Sequence, residues 1–231
     1  MHQRFLVFGG SGFIGSQVCR IAVEQGHDVI SVSRHGRPAD AEPAWADRVE
    51  WVAANILEPE TWRDHLPGCD AVVHCVGIVA EDHDAGYTFE RVNGDSVEIA
   101  AWEAKEAGVD RFVFVSAKDR PPFVSPRYLA AKRIGETALH RYDVREIILR
   151  PRFVVGPQRP ITQVLGGAMT LAEKVPVLGH RVHDDRPLRV EQVATAIVKA
   201  ATDLDYQGVV SLDNIEYVAG DDWKQYQQNG S

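Results

Sequence analysis

The 231-residue sequence has few cysteines and no long apolar run. Its cysteines, Cys19, Cys69 and Cys75, are odd in number and not at metal-ligand spacing, so we expect free thiols in a reducing compartment. No apolar stretch approaches the roughly 18 residues that a transmembrane helix needs. The first apolar segment already begins at Phe5, so we expect no targeting peptide. We therefore expect a cytoplasmic protein without a transmembrane segment, with a peripheral membrane contact left open.

The sequence also lacks an excess of positive charge. It has 25 Lys and Arg against 33 Asp and Glu, a formal net charge of -8. Because surfaces that bind nucleic acid are basic, we expect no nucleic-acid partner. The apolar share of 45% and the charged share of 25% are ordinary for a globular protein. The length suffices for one domain with a sizeable core.

Short apolar segments alternate with amphipathic ones over the first two thirds of the chain. Strands are predicted at 5–8, 28–33, 49–53, 70–76, 111–116 and 146–149. Helices are predicted between them at 12–25, 58–66, 89–107 and 125–142. Strands buried on both faces and joined by helices form βαβ units with right-handed crossovers. The pattern therefore predicts an α/β fold with a doubly wound parallel sheet, a Rossmann fold.

The alternation changes after Pro151. Proline and glycine cluster at 156–160. Two further helices and a short strand are predicted, at 162–174, 190–201 and 208–212. We interpret 1–231 as a single Rossmann domain in which 156–190 and 205–231 contribute a small C-terminal cap and substrate region.

A glycine-rich turn, Gly9-Gly10-Ser11-Gly12-Phe13-Ile14-Gly15, follows the first strand directly. Two patterns fit it, Gly10-x-Gly12-x-x-Gly15 and Gly9-x-x-Gly12-x-x-Gly15. Glycines between a strand and a helix let the backbone approach a pyrophosphate, and the helix N-terminus supplies free N–H groups. The turn therefore predicts a dinucleotide site, and the alternative is a turn that is tight for packing alone.

The second strand lacks an acidic residue at its end. An NAD-preferring site places such a residue there to bind the ribose hydroxyls. This chain has Ser33 and Arg34 instead, with Arg37 close by. A guanidinium can pair with a 2′-phosphate and stack on adenine, so we favour NADP(H) over NAD(H). Alternatively, Arg34 is a solvated loop residue and NAD is bound through other contacts.

Tyr128 and Lys132 stand four residues apart on a predicted helix and share one of its faces. A free tyrosine has a pKa near ~10, and a neighbouring ammonium stabilises the phenolate. Such a pair can act as a general acid and base. Ser116, at the end of the fifth strand, is a candidate to bind the reacting oxygen. The alternatives are an ordinary amphipathic helix surface and a strand-end cap.

The glycine turn, Ser116, Tyr128 and Lys132 follow one another along the chain as they do in a known family. In this respect the sequence resembles the extended or atypical, epimerase-like branch of the short-chain dehydrogenase/reductase superfamily. The resemblance covers nearly the whole chain, and the branch uses the register that begins at Gly9. Further similar segments are VHCVG at 73–77, Asn93-Gly94, LRPRFVVGP at 149–157 and RPLRVEQVATAI at 186–197. The chain departs from the family at Phe8, where a Thr or small residue is usual, and at Asn55, where an acidic residue contacts adenine.

The resemblance implies an NAD(P)-dependent oxidoreductase, or an epimerase/dehydratase-like enzyme, that acts on a carbonyl or hydroxyl group of a small molecule. It implies catalytic roles for Ser116, Tyr128, Lys132 and Asn93, with Asn93 supporting Lys132 through water. The implied cofactor-binding residues are Gly9, Gly10, Ser11, Gly12, Phe13, Ile14, Gly15, Ser33, Arg34, Asn55, Ile56, Cys75, Val76, Gly77, Tyr128, Lys132, Pro151 and Phe153.

Substrate contacts are expected at Ile78, Ala117, Lys118, Arg152 and Arg186, although surface ion pairs explain the two arginines equally well. Phe153, Val154, Val164, Leu165 and Met169 form either an apolar wall of the substrate pocket or ordinary core. No metal site is expected. His180, His183, Asp184 and Asp185 are better interpreted as an acidic loop.

Two segments, SPRYLAAKRIGE at 125–136 and GVVSLDNI at 208–215, are similar to a narrower atypical group. It includes the fungal coenzyme Q biosynthesis accessory protein and the NADPH-binding subunit of complex I. That similarity implies quinone- or lipid-related substrates. It also leaves an alternative open, a non-catalytic binding or assembly protein that holds NADPH as a structural ligand or redox sensor. Either a monomer or a homodimer is expected.

Overall fold

The computed structural model describes residues 2–121, 124–157 and 187–227. The predicted helix at 162–174 and most of the expected cap at 156–190 lie outside the described residues. The strands are β1 (Arg4–Phe8), β2 (Asp28–Ser33), β3 (Val49–Ala53), β4 (Ala71–His74), β5 (Arg111–Val115), β6 (Arg145–Leu149), β7 (Val154–Val155), β8 (Leu188–Arg189) and β9 (Gly208–Val210).

The helices alternate with these strands. They are α1 (Phe13–Glu24), α2 (Pro43–Ala46), α3 (Ser96–Glu106), α4 (Pro126–Leu139), α5 (Val190–Thr202) and α6 (Leu212–Ala219). Short 3-10 helices occur at Pro59–Thr61, Arg63–His65 and Asp222–Tyr226, and a π-helical turn at Glu90–Asp95 leads into α3. The predicted helix at 89–107 is therefore present, but its first turn is π-helical.

The main sheet has seven strands in the order β3-β2-β1-β4-β5-β6-β9, and its paired strands are parallel. A small second sheet pairs β7 with β8. The chain builds outward from β1 to β3 and then returns to place β4 on the other side of β1. This order confirms the predicted doubly wound parallel sheet. Ligands of such sheets bind at the carboxyl ends of the strands where the order reverses, here between β1 and β4.

Both faces of the sheet are buried, which explains the uninterrupted apolar sequence of β1. Phe5 and Val7 pack into the core beneath α1, α5 and α6. Leu6 and Phe8 point the other way, into the core that α3 and the segment between β3 and β4 cover. Alternate residues of a strand face opposite sides of a sheet, so each of these side chains contributes to one core only.

Phe8 fills the second core at the point where the strand enters the glycine turn. Its ring meets the Trp62 ring edge to face, with the centroids 4.7 Å apart and an interplanar angle of 78°. The His74 ring lies 6.1 Å away on β4. All three side chains are at most 1% exposed. The large residue at position 8 is therefore matched by a tryptophan from the segment after β3.

The C-terminal part differs from the sequence prediction in one element. The strand predicted at 208–212 ends at Val210, because Ser211 is the extended N-cap of α6. Ile215, Val218 and Ala219 are buried at helical spacing, a short amphipathic pattern that the sequence analysis did not recognise. Residues 205–227 thus supply an edge strand and a helix packed on α5, and their part in a substrate region stays a prediction.

Replacement of Phe8 by Ala is expected to lower the free energy of unfolding by about 3–5 kcal/mol, because it leaves a cavity against Trp62 and His74. Phe8→Leu should cost less, since it leaves a smaller cavity. Leu204→Ala serves as the control, because that side chain is 65% exposed. Urea unfolding measures all three variants. Equal losses for Phe8→Ala and Leu204→Ala would contradict the assigned packing.

Candidate functional site

A cleft opens at the carboxyl ends of β1, β2, β3 and β4, where the strand order reverses. Its lining residues are Gly9, Ser11, Gly12, Val32, Ser33, Arg34, His35, Ala54, Asn55, Ile56, Leu57, Cys75, Val76, Gly77, Ile78, Tyr87 and Val92. Many of the residues expected to bind a cofactor are in this set. Among the lining residues that the sequence analysis missed, Tyr87 and Val92 come from the segment between β4 and α3.

The glycine turn is closely packed on itself. Gly9 has a φ of +80°, a conformation that favours glycine. Its carbonyl oxygen accepts a hydrogen bond from the Gly12 amide at 2.9 Å. A Cβ on Gly15 would overlap that same carbonyl oxygen, and a Cβ on Gly10 would overlap the Ser31 hydroxyl. The register that begins at Gly9 therefore describes the turn itself, whereas Gly10 is needed for packing beneath it.

The start of α1 faces the cleft beside this turn. Gly12 is the N-cap residue and, as a glycine, has no side chain of its own to cap the helix. Ser11 and Gly12 line the cleft. N–H groups in the first turn of a helix, at its positive end, bind phosphate oxygens. The turn therefore fits the pyrophosphate of a dinucleotide.

The residues after β2 define one end of the cleft. The Ser33 hydroxyl donates to the Gly36 carbonyl oxygen at 3.1 Å. The Arg34 guanidinium carbon lies 4.9 Å from the centroid of the Tyr87 ring. Arg37 pairs with Asp47 at 2.7 Å and does not line the cleft. Of the two arginines considered for a 2′-phosphate, Arg34 is the one in the cleft.

Asn55 stabilises the turn that follows β3. Its side-chain oxygen accepts from the Leu57 amide at 3.2 Å, and its amide nitrogen donates to Glu58 at 3.0 Å. Ile56 is buried beside it. Asn55 thus lines the cleft while its side chain holds the local backbone.

Tyr128 and Lys132 are both buried on the inner face of α4. The Tyr128 ring packs edge to face on Phe89 at 6.1 Å between centroids. The Lys132 ammonium donates to the carbonyl oxygens of Val76 at 3.2 Å and Val115 at 3.0 Å. It therefore bridges the carboxyl ends of β4 and β5 immediately below the cleft.

Burial lowers the pKa of Lys132 to about 8, while the nearby charge of Glu136 acts to raise it. Burial raises the pKa of the Cys75 thiol to about 12, which keeps that neighbour neutral. Burial, helped by the charge of Lys132, lowers the pKa of His74 to about 3, so the imidazole is neutral as well. Of His74, Cys75 and Lys132, the lysine is thus the charged member below the cleft near neutral pH.

Ser116 belongs to a buried ionic network one helical turn beyond Lys132. Its hydroxyl donates to Glu136 at 2.5 Å and accepts from Arg133 at 3.1 Å. Arg150 binds both carboxylate oxygens of Glu136, at 2.9 and 2.6 Å. Burial acts to raise the pKa of Glu136, but the hydrogen bonds from Arg150 and Ser116 and the charges of Arg133 and Arg150 leave it below its ordinary value.

The sequence analysis missed Arg133, Glu136 and Arg150. A local signal for Glu136 was present, because it follows Lys132 by the same four residues that separate Lys132 from Tyr128. No comparable signal marks Arg150, which reaches the network from the end of β6.

Asn93 lies in the π-helical turn and holds the backbone after β4. Its side-chain oxygen accepts from the Ile78 amide at 2.8 Å, and its amide nitrogen donates to the Ile78 carbonyl at 3.0 Å. A Cβ on Gly77 would lie 3.0 Å from the Lys132 ammonium and 3.1 Å from the Asn93 oxygen. π-helical turns are frequent at functional sites. The water-mediated support of Lys132 stays a prediction.

The residues expected to contact substrate are spread around this centre. Ile78 lines the cleft, and Ala117 packs in a small cluster with Phe89 and Tyr128. Lys118 is exposed and its amide donates to the Pro151 carbonyl oxygen at 3.0 Å. The Phe153 carbonyl oxygen accepts from Leu188 at 2.8 Å.

Arg152 makes an ion pair with Asp119 at 2.6 Å, and its contact with a substrate stays a prediction. Arg186 lies outside the described residues, as do Val164, Leu165, Met169 and the segment with His180, His183, Asp184 and Asp185.

The fold and the glycine turn define a Rossmann-type protein of the dinucleotide-binding class. The model of the NAD dependent epimerase/dehydratase family matches residues 5–210. The chain belongs to this family, whose members use a nicotinamide cofactor, and it is an extended short-chain dehydrogenase/reductase-like protein.

Three relatives illustrate the range of the family. An uncharacterised chloroplastic protein of Arabidopsis thaliana is 31% identical over 240 residues, which are 94% of this chain and 77% of that protein. MIOREX complex component 2 of Saccharomyces cerevisiae is 27% identical over 277 residues, covering 93% and 99%. A ceramide reductase of Caulobacter vibrioides is 30% identical over 213 residues, covering 90% and 64%.

Among solved structures, the enzyme WbmG of Bordetella bronchiseptica in complex with NAD is similar, with a TM-score of 0.65 and 19% identity. The match covers 98% of this chain and 78% of that one. At this identity the likeness shows the fold alone. Within the described ranges, no helix combines the length and apolar character needed to cross a membrane.

Replacement of Lys132 by Met tests the buried charge. The pKa of Lys132 is about 8 in the folded chain against an ordinary 10.5. Between pH 8 and pH 10.5, Lys132 is therefore protonated to a greater extent in the unfolded chain than in the folded chain. The stability of the unmodified chain relative to Lys132→Met should therefore rise with pH in this window, by up to about 1.4 kcal/mol per pH unit. Urea unfolding at pH 7, 8, 9 and 10 measures it. A difference that is independent of pH would contradict the lowered pKa.

Proposed function

We propose that the chain is an NADP(H)-dependent oxidoreductase in which Tyr128 and Lys132 form the acid/base pair. The observation that carries this proposal is the buried ammonium of Lys132. It lies one turn along α4 from Tyr128 and donates to the strand ends below a cleft that contains the glycine turn. Among the reactions of the family, we propose hydride and proton exchange at a carbonyl or hydroxyl group. An epimerase/dehydratase-like reaction would use the same two residues, Tyr128 and Lys132.

The cleft fits a dinucleotide in three parts. Gly9, Ser11 and Gly12 would hold the pyrophosphate, since they line the cleft beside the N-terminus of α1. Ser33 and Arg34 would hold the adenosine ribose and its phosphate, and Asn55 and Ile56 the adenine. Cys75, Val76 and Gly77 would lie along the nicotinamide ribose, with Pro151 and Phe153 beyond. When bound, the nicotinamide supplies hydride exchange.

The proton chemistry follows from the position of Lys132. A cation that is removed from water acts strongly on nearby groups, and it stabilises the phenolate form of a neighbouring tyrosine. Tyr128 would then exchange a proton with the oxygen of the substrate. Because Ser116 donates its hydroxyl proton to Glu136, it must rotate before it can donate to a substrate oxygen.

The preference for NADP(H) rests on the end of β2. Ser33 stands where an acidic side chain would repel a 2′-phosphate, and Arg34 lines the cleft. In the part of the chain that the structure describes, Arg34 makes no ion pair, so its charge is available to an anion. The similar structure of WbmG is in complex with NAD, so the binding test below compares both dinucleotides.

For the substrate we propose a small apolar or quinone-related carbonyl or alcohol. The relative named ceramide reductase supports an apolar substrate, and the half-buried Ile78 supplies an apolar edge to the cleft. We propose a cytoplasmic monomer or homodimer, although the Arabidopsis relative is named as chloroplastic.

A second candidate function is a non-catalytic NADPH-binding assembly protein. Two observations favour it: the yeast relative is named as a component of a complex, and the hydroxyl of Ser116 is engaged by Glu136. Both candidates need the cofactor, and only the first needs the Tyr128 hydroxyl.

Tyr128→Phe separates the two candidates. If Tyr128 transfers the proton, the variant should lose a factor of about 10²–10⁴ in kcat while its affinity for NADPH stays within about twofold. NADPH-dependent reduction of a short-chain ubiquinone analogue and of a long-chain aliphatic ketone provides the assay. Tyr217→Phe is the matched control, since that side chain is 83% exposed. If Tyr128→Phe reduces both substrates at the rates of the unmodified chain, the proposed catalytic role of Tyr128 is wrong.

Arg34→Ala tests the cofactor preference. Loss of one charge-assisted hydrogen-bonding group should weaken NADPH binding by about tenfold to one-hundredfold and leave NADH binding within about twofold. Fluorescence titration of both dinucleotides measures this. Arg37→Ala is the control, because Arg37 is paired with Asp47 outside the cleft. Equal affinities for NADPH and NADH in the unmodified chain would contradict the proposal that Arg34 binds the 2′-phosphate.

A further inference from the structure

Tyr87 reaches the cleft from the segment between β4 and α3, and Arg34 reaches it from the end of β2. In the sheet, β2 and β4 lie on opposite sides of β1. The contact between the Tyr87 ring and the Arg34 guanidinium, at 4.9 Å, therefore connects the two flanks of the glycine turn.

The Tyr87 backbone is fixed before any ligand arrives. Its amide and carbonyl form both hydrogen bonds of an isolated bridge with Asp82, at 2.8 and 2.9 Å. Gly86, with a φ of +72°, makes the turn that closes this bridge. Arg91 donates to the Gly86 carbonyl oxygen at 2.9 Å. The half-buried ring is thus presented to the cleft by a closed loop.

The geometry suits an anion next to Arg34. A guanidinium that stacks on a ring uses its flat face and leaves its in-plane N–H groups for hydrogen bonds. Those N–H groups match the oxygens of a phosphate. Among the described residues the Arg34 side chain is exposed and has no carboxylate partner, unlike Arg37, which pairs with Asp47.

We propose that Tyr87 is a positioning residue for cofactor selection: its ring holds the Arg34 guanidinium toward the 2′-phosphate of the adenosine moiety. The inference deepens the proposed function and rests on its NADP(H) preference. Its physical consequence is that Tyr87 improves binding of the 2′-phosphorylated nucleotide alone, because it acts only through Arg34. A ring that stacked directly on adenine would instead improve binding of phosphorylated and unphosphorylated nucleotides equally.

The test uses adenosine 2′,5′-bisphosphate and adenosine 5′-monophosphate as probes in isothermal titration calorimetry on the full chain. These probes differ only in the 2′-phosphate and contain no nicotinamide. Tyr87→Leu should weaken binding of the bisphosphate by about threefold to tenfold and leave the monophosphate within about twofold. Tyr87→Phe keeps the aromatic face and should bind both probes as the unmodified chain does.

A double-variant comparison isolates the route through Arg34. In the Arg34→Ala background, Tyr87→Leu should cause no further loss of bisphosphate affinity, because the group that it positions is absent. Circular dichroism and urea unfolding of each variant verify that the fold is intact. If Tyr87→Leu misfolds, Tyr87→His is compared with Tyr87→Phe instead. Tyr87→His is expected to bind the bisphosphate less tightly, because its ring stacks less well on a guanidinium.

Three results would overturn the inference. They are equal losses for both probes in Tyr87→Leu, a loss in Tyr87→Phe as large as in Tyr87→Leu, and a full further loss in the Arg34→Ala background. If the unmodified chain binds both probes equally, the NADP(H) preference fails together with this inference. If it selects the bisphosphate through Tyr87 but Tyr128→Phe changes no reaction, the inference stands and the oxidoreductase proposal fails.

Discussion

The ammonium of Lys132 joins the ends of β4 and β5 to the middle of α4, and the site is arranged around it. Its hydrogen bonds to the carbonyl oxygens of Val76 and Val115 hold the strand ends at the floor of the cleft. Removing this charge from water costs free energy, which shows as the lowered pKa of Lys132. The two carbonyl oxygens, the face of the Phe114 ring at 4.9 Å and the nearby charge of Glu136 offset part of that cost.

The cost of burying the Lys132 charge also explains why the ionisable groups around it are neutral or already paired. His74 is held neutral by burial and by the lysine charge, while the Glu136 carboxylate is engaged by Arg133, Arg150 and the Ser116 hydroxyl. The Lys132 ammonium thus lies under the cleft and one turn from Tyr128, with a separate ionic network beyond it. Among the described residues no carboxylate contacts this ammonium directly, which is the arrangement that the proposed acid/base pair requires.

The cleft above this floor depends on close backbone packing. Gly10 and Gly15 leave no room for side chains, because the Ser31 hydroxyl and the Gly9 carbonyl oxygen occupy the space that a Cβ would need. Below the turn, Phe8 packs on Trp62 and supports the backbone from the core. The departure from the usual small residue at position 8 is therefore compensated by a tryptophan that follows β3, and the shape of the turn is kept.

Local spacing was sufficient to predict the parallel sheet, the glycine turn and the shared helix face of Tyr128 and Lys132, which are both buried. These patterns could be recognised because each one is made of residues close together in the chain. The bounds of β2 and β3 agree with the prediction to the residue. The partners of Phe8, Ser116 and Arg34 were decided only by the tertiary structure. Trp62, Glu136 and Tyr87 lie on other elements, far along the chain. No period in the sequence records which side chains meet when separate strands and helices pack, since that depends on the order and direction of those elements in three dimensions.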